Sequence, residues 1–145
     1  MAALERSIFI NGTTDEIDAI TLDPWRLPEW YEGVEHVEPD GVYPEPGGVV
    51  NMTYRAAGIA FTIKMTCLEL VRGEYALYQM EGMMSGTNRW IHTPEGNGTW
   101  LTAQFEYELP GGGLGKAFDR LVVERMNAEN LEKSLARLKE LVEAR

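Results

Sequence analysis

The last third of the sequence contains a long segment without proline that directly follows a cluster of glycines. Residues 114–145, which number 32, contain one glycine and no proline, and they come after Pro110-Gly111-Gly112-Gly113. This composition predicts a single helix, roughly 45 Å long at about 1.5 Å per residue. Such a helix is longer than a small sheet needs for simple cover. The segment therefore favours a fold in which a helix roofs a cavity.

An apolar stripe along this predicted helix is interrupted once. Its members recur three or four residues apart and are Leu114, Phe118, Leu121, Ala128, Leu131, Leu135, Leu138 and Val142. Glu124 and Arg125 lie in the gap, where they can place a charge against the polar end of a ligand, and arginine suits a carboxylate or an enolate. The alternative is a boundary pair whose stems pack while the charged heads reach water.

Charge and composition exclude several classes of protein. Thirteen basic residues against 23 acidic ones give a formal charge of −10, which argues against binding nucleic acid or an anionic membrane surface. Cys67 is the only cysteine, so an internal disulfide is excluded and a reducing compartment is expected. The N-terminus lacks the pattern of a signal peptide, and no apolar run has the length of a membrane span. A single cytoplasmic domain over residues 1–145 is the resulting prediction.

The remainder of the chain predicts one strand, two short helical pieces and then six strands. Residues 5–11 form the first strand, and the helical connector WRLPEWYEG contains the aromatic residues Trp25, Trp30 and Tyr31. Turn chemistry punctuates the region that follows, and the predicted strands are 34–39, 48–56, 60–71, 74–84, 87–93 and 98–109. Consecutive strands without intervening helices predict an antiparallel meander.

Alternation along these strands predicts which side chains face the helix. The inward set is mainly aromatic and sulfur-containing: Phe61, Ile63, Met65, Cys67, Ala76, Tyr78, Met80, Gly82, Met84, Leu101, Ala103, Phe105, Tyr107 and Leu109. If Arg89 faces outward, Trp90 and His92 join this set. Trp100 is then an outward aromatic residue, and exposed aromatic residues on a strand can mark a protein interface such as a homodimer.

The order of elements, the segments DPWRLPEWYEGV and GNGTWLTAQFEYELPGG, and the long terminal helix together resemble the SRPBCC superfamily. The most specific matches are Asp23, Trp30 and Gly98-Thr99, and the likeness covers nearly the whole chain. This helix-grip fold is shared by START lipid-transfer domains, the birch pollen allergen family and polyketide cyclase/dehydrase proteins. It implies an α+β architecture, with a curved seven-stranded antiparallel sheet around the C-terminal helix and two short helices after the first strand.

The resemblance also implies an apolar cavity between sheet and helix that holds a lipid, a polyketide or another aromatic or isoprenoid molecule. The inward side chains suit a soft wall around a ligand, although they equally suit a filled core. The resemblance favours the cavity, whose predicted ligand-binding residues are Trp25, Trp30, Phe61, Met65, Tyr78, Met80, Trp90, Phe105, Tyr107, Phe118 and Leu121.

His92 is the third candidate catalytic residue beside Glu124 and Arg125. An inward imidazole among aromatic side chains can act as acid or base in an aldol cyclisation or a dehydration. The alternative is a histidine at the rim of the pocket or exposed near the end of its strand. One cysteine and two widely separated histidines give no zinc-binding spacing, so the prediction includes no metal and no cofactor.

Overall fold

The computed structural model describes residues 2–56, 58–109 and 120–144, which form seven strands, a 3₁₀ turn and three α-helices. In chain order the elements are β1 Ala2–Ile10, α1 Thr14–Thr21, the 3₁₀ turn Pro24–Arg26, α2 Leu27–Trp30, β2 Val34–Pro39, β3 Val49–Ala56, β4 Ile59–Val71, β5 Tyr75–Gly82, β6 Ser85–Glu95, β7 Gly98–Glu108 and α3 Arg120–Glu143.

The strands form one curved antiparallel sheet in the order β1-β7-β6-β5-β4-β3-β2, and α3 lies against its concave face. This arrangement confirms the predicted helix-grip fold. Two irregularities interrupt the register, one in β2 between Val34 and His36 and one in β4 between Cys67 and Glu69. Bulges of this kind increase the local twist and help a sheet to bend around a helix.

Gly98 and Thr99, at the start of β7, contact the end of β1 and the turn that follows it. A Cβ atom on Gly98 would collide with the ring of Phe9 and the carbonyl oxygen of Ile10, so glycine is required for the close approach of β1. The hydroxyl of Thr99, which is buried, donates a hydrogen bond of 2.9 Å to the carbonyl of Gly12. This contact fixes the turn from which α1 begins.

Helix α1 begins at a complete capping box. The side chain of Thr13 accepts the backbone N–H of Glu16 at 3.1 Å, and the carboxylate of Glu16 accepts the N–H of Thr13 at 2.9 Å. Ile17 and Ile20 are buried against the core, while Asp18 lies on the side of the helix that faces the β4–β5 turn. The cap therefore helps to position the carboxylate of Asp18 inside the fold.

The buried side of α3 differs from the predicted stripe in its first half. Its buried residues are Val123, Asn127, Asn130, Leu131, Ser134, Leu135, Leu138 and Val142. Leu121, which is 69% exposed, lies two residues before Val123 and so about 200° around the helix from it. A buried polar side chain does lie in the gap between Leu121 and Ala128, but it is Asn127 and not Glu124 or Arg125. The predicted helix start at residue 114 and the stripe residue Phe118 lie outside the described residues.

Candidate functional site: a cavity between the sheet and helix α3

An internal cavity separates the concave face of the sheet from α3 and the two short helices. The centre of a water-sized sphere can occupy about 80 Å³ of it, where a single water needs roughly 10–15 Å³ in the same measure. The space therefore suits several waters or one compact molecule. The residues that line it are Leu4, Asp18, Thr21, Leu22, Leu27, Trp30, Tyr31, Val34, Tyr43, Met52, Tyr54, Ile63, Met65, Leu70, Tyr75, Ala76, Tyr78, Met80, Met84, Asn88, Trp90, His92, Leu101, Phe105, Tyr107 and Asn127.

Aromatic rings form the middle of the cavity wall around Trp90. Its ring meets those of Trp30 at 5.7 Å, Phe105 at 6.0 Å and Tyr31 at 6.2 Å, all in edge-to-face geometry. Such pairs add stability beyond their buried area. The indole N–H of Trp90 donates to the side-chain oxygen of Asn88 at 2.8 Å, which fixes the Trp90 ring in its place.

An acid–base pair lies at the α1 end of the cavity. Atom Oδ1 of Asp18 is 3.7 Å from Nε2 of His92, and the two side chains are 13% and 5% exposed. The other carboxylate oxygen of Asp18 accepts the backbone N–H of Gly73 at 2.7 Å, and the N–H of His92 donates to the carbonyl of Glu74 at 2.8 Å. Burial lowers the pKa of His92 below its usual value, while the Asp18 carboxylate and the Gly73 backbone oppose this shift.

A network of amides and phenols lies at the opposite end. Oδ1 of Asn127 accepts the hydroxyl of Tyr54 at 2.9 Å, and Nδ2 of Asn127 donates to the hydroxyl of Tyr107 at 3.1 Å and to Met84. Asn130 donates to the Tyr54 hydroxyl at 3.0 Å. Burial raises the pKa of Tyr54 to about 12, against the effect of the Asn130 hydrogen bond, so this phenol is protonated at neutral pH.

Strand register determines the distance between the two ends. On β6 and β7, His92 is paired with Leu101 and Gly86 with Tyr107, and the intervening inward residues are Asn88 and Trp90. Six residues of strand separate Leu101 from Tyr107, which corresponds to about 20 Å. The cavity is therefore elongated, with an ionisable pair at one end, neutral polar groups at the other and an aromatic wall between.

Two polar atoms of the cavity residues have no hydrogen-bond partner among the described residues. They are Nε1 of Trp30 and Nδ1 of His92, and both are buried. A buried N–H or ring nitrogen without a partner costs about 1–3 kcal/mol relative to a satisfied one. The described residues therefore leave both atoms without this compensation.

Most of the residues predicted from sequence lie on the wall of the cavity. Those on the cavity wall are Trp30, Met65, Tyr78, Met80, Trp90, Phe105, Tyr107 and His92. Phe61 is buried in the core but does not line the cavity. Trp25, in the 3₁₀ turn, is 66% exposed. Leu27 and Trp30 are the buried apolar residues of this connector.

The structure places the charged residues of α3, together with Leu121, away from the cavity. Arg125 is exposed, and Glu124 is half-buried at the flank of the helix, where its charge contributes to raising the pKa of Tyr107 after the larger effect of burial. Neither lines the cavity, which corrects the expectation that they face it; among the described residues of α3, Asn127 lines it. Leu121 is on the opposite side of the helix. Phe118 lies outside the described residues.

The polar lining residues that sequence reasoning missed include Asp18, Tyr54, Asn88 and Asn127. Asn88 lies two residues before Trp90 and therefore on the same face of β6 as Trp90 and His92. This alternation was the one signal for Asn88 in the sequence. Trp100, on the outer face, is 40% exposed, and its ring packs on Phe9 while its N–H donates to Glu95 at 2.6 Å.

Two further findings concern the described part of the chain. Its helices include none with the length and apolar character to traverse a lipid bilayer. No group of three or more histidine, cysteine, aspartate and glutamate side chains in the described ranges comes together as candidate metal ligands.

A curved antiparallel sheet that grips a C-terminal helix around an internal apolar cavity defines the helix-grip class of proteins. The chain belongs to the family described as polyketide cyclase / dehydrase and lipid transport, whose model matches residues 1–143. The superfamily predicted from the sequence is thereby confirmed. No curated protein matches the chain.

Solved structures with the same fold cover almost the whole chain at low sequence identity. The protein TTHA0849 from Thermus thermophilus has a TM-score of 0.82 and 22% identity, with 99% of this chain and 98% of that chain covered. The Zhui aromatase/cyclase from Streptomyces sp. R1128 has a TM-score of 0.79, 16% identity and coverages of 99% and 94%. A START superfamily protein from Mycobacterium smegmatis has a TM-score of 0.78, 14% identity and coverages of 98% and 97%.

Proposed function

We propose that this protein binds a small hydrophobic molecule, such as a lipid, an aromatic polyketide or an isoprenoid, in the cavity between the sheet and α3. The observation that carries the proposal is an internal cavity whose wall is mostly apolar and aromatic, with a few polar groups at its two ends. Ligand sites in proteins combine these features. Membership of a family of polyketide cyclases and lipid transporters supports the same function.

A binding screen tests this proposal. We expect at least one member of a panel of fatty acids, sterols, quinones and aromatic polyketides to bind with one molecule per chain. A ligand at about 100 times its Kd stabilises a folded protein by about 2.7 kcal/mol, which raises the melting temperature of a domain of this size by roughly 5–10 °C. Native mass spectrometry gives the stoichiometry. A panel without a single binder would contradict the proposal.

A second candidate function is a cyclase or dehydratase that acts in the same cavity. The observation that favours it is the buried pair of His92 and Asp18, because burial keeps the imidazole neutral and thus able to accept a proton. Removal of a proton next to a ligand carbonyl starts both an aldol cyclisation and a dehydration. Since Glu124 and Arg125 do not line the cavity, the enzymatic proposal rests on His92, with Asp18 as a residue that orients its ring.

The His92→Ala variant tests the enzymatic candidate. General base catalysis contributes a factor of about 10²–10⁴, so the variant should lose at least that lower factor in the rate of dehydration of an aromatic β-hydroxyketone, followed by absorbance. Its affinity for the same compound should change far less. Thr93→Ala, at the next and exposed position of β6, is the matched control. Equal rates for His92→Ala and the wild type would exclude His92 as the base.

A further inference from the structure

A surface groove adjoins the internal cavity and lies between the turn after α2, the β3–β4 hairpin and α3. The centre of a water-sized sphere can occupy about 420 Å³ of this groove. Among the described residues, Tyr31 and Val34 line both the groove and the cavity. Val34 is buried at the start of β2, and Tyr31 is half-buried and carries the larger side chain. The two spaces therefore meet at Tyr31.

The backbone of the turn after α2 is held from both sides. On the α3 side, the hydroxyl of Ser134 accepts the N–H of Glu32 at 2.8 Å, and Arg137 pairs with the carboxylate of Glu32 at 3.0 Å. On the sheet side, the carbonyl of Gly33 accepts the N–H of Arg55 at 2.8 Å. The turn is therefore a fixed frame between groove and cavity, and an opening between them requires movement of a side chain.

The ring of Tyr31 is held in this frame by packing alone. It packs edge-to-face on Trp30, Tyr54 and Trp90, with centroid distances of 5.5, 6.4 and 6.2 Å. The Tyr31 hydroxyl has no hydrogen bond to any residue in the described ranges, whereas the polar atoms of Tyr54 and Trp90 are hydrogen-bonded. A change of the Tyr31 rotamer therefore separates ring contacts and breaks no hydrogen bond.

From this arrangement we infer that the groove is the entrance to the cavity and that the ring of Tyr31 is its gate, which opens by rotation while the turn stays bound to α3 and β3. The inference rests on the proposed binding function, because it concerns how a ligand reaches that site. The alternative route is the α1 end, where the half-buried Leu22 lines the cavity. There the hydrogen bond from Gly73 to Asp18 ties α1 to the sheet, so an opening requires movement of the helix.

The rate at which a thiol inside the cavity reacts with N-ethylmaleimide measures access without a known ligand. Met80 lines the cavity and is 4% exposed, and Cys67 is the only cysteine of the chain. The full chain with Met80→Cys and Cys67→Ser therefore has one thiol, at the cavity wall. Tyr31→Ala on this background should speed labelling, followed by mass spectrometry, by at least about 10-fold, since each of three ring contacts contributes a factor of roughly 2–12. Tyr31→Phe keeps the ring and should label at the parent rate.

Two controls separate opening of the gate from a general loosening of the fold. Cys67 is 1% exposed and is not among the residues that line the cavity. In a chain whose single change is Tyr31→Ala, labelling of the native Cys67 should stay at the wild-type rate. Trp25→Ala removes an exposed aromatic side chain of the same connector and should leave labelling of the Met80→Cys reporter unchanged. Met52→Cys, at a cavity-wall position that is 7% exposed, is the second reporter if Met80→Cys does not fold.

The outcomes distinguish failure of the gate from failure of the proposed function. An unchanged labelling rate in Tyr31→Ala would overturn the inference, and so would a rise that Tyr31→Phe shares or that native Cys67 shows to the same degree. Faster labelling in Leu22→Ala alone would place the entrance at the α1 end. These results need no ligand, so each leaves the binding function intact. A binding screen without a binder would contradict that function and leave the measured access to the cavity unchanged.

Discussion

Replacement of Ala76 by phenylalanine is expected to weaken the binding of any ligand found in the binding screen by at least about 100-fold. Ala76 lies on β5 between Leu70 of β4 and Trp90 of β6, is 6% exposed and lines the cavity. A phenyl ring at this position points into the space beside Trp90 that a ligand would occupy. A factor of 100 corresponds to about 2.7 kcal/mol, which is a modest cost for expelling an aromatic ligand.

The fold should survive this change, because the new ring fills existing space. Overpacking of a filled core costs about 1–3 kcal/mol, and the cavity reduces that penalty. Ala60→Phe is the matched control, since Ala60 is exposed on the outer face of β4 and the same atoms are added there. We expect this control to bind as the wild type does. Wild-type affinity in Ala76→Phe would show that the ligand binds elsewhere.

Alternation along the strands was sufficient to predict the sheet side of the site. Tyr78 and Met80 on β5, and Trp90 and His92 on β6, follow a period of two, and the same sheet face is buried throughout. A shift of one residue would have moved all of them to solvent. Leu70 was missed because the irregularity between Cys67 and Glu69 changes the alternation of β4. A bulge of this kind has no distinct signal in the sequence.

The polar groups of the site could not be predicted in the same way. Asp18 reaches His92 only because the capping box, the β4–β5 turn and β6 meet in space, and the two residues are far apart in the sequence. Asn127 occupies a helix position that a hydrophobic pattern classifies as a gap. Amides and carboxylates are mostly exposed, so periodicity assigns them to the surface unless a partner is known. The partners of Asn127 are Tyr54 and Tyr107, on two different strands.

Asn127, which lies in the gap of the apolar stripe of α3, is expected to contribute to the free energy of unfolding. Asn127→Leu keeps a similar volume but leaves the Tyr54 hydroxyl without its acceptor and the Tyr107 hydroxyl without its donor. At about 1–3 kcal/mol for each of the two unsatisfied hydroxyls, the free energy of unfolding should fall by about 2–6 kcal/mol in urea titrations. Glu129→Leu, at an exposed position of the same helix, is the matched control and should change stability by less than about 0.5 kcal/mol.

A triple variant separates lost hydrogen bonds from lost packing. The cost of Asn127→Leu can be tested by also removing the two hydroxyls, in the variant Tyr54→Phe/Tyr107→Phe/Asn127→Leu. If the two orphaned hydroxyls cause the loss, this variant should recover most of the stability, because phenylalanine has no polar group that needs a hydrogen bond. A triple variant as unstable as the single one would attribute the loss to packing. Recovery would mean that the network contributes little net stability.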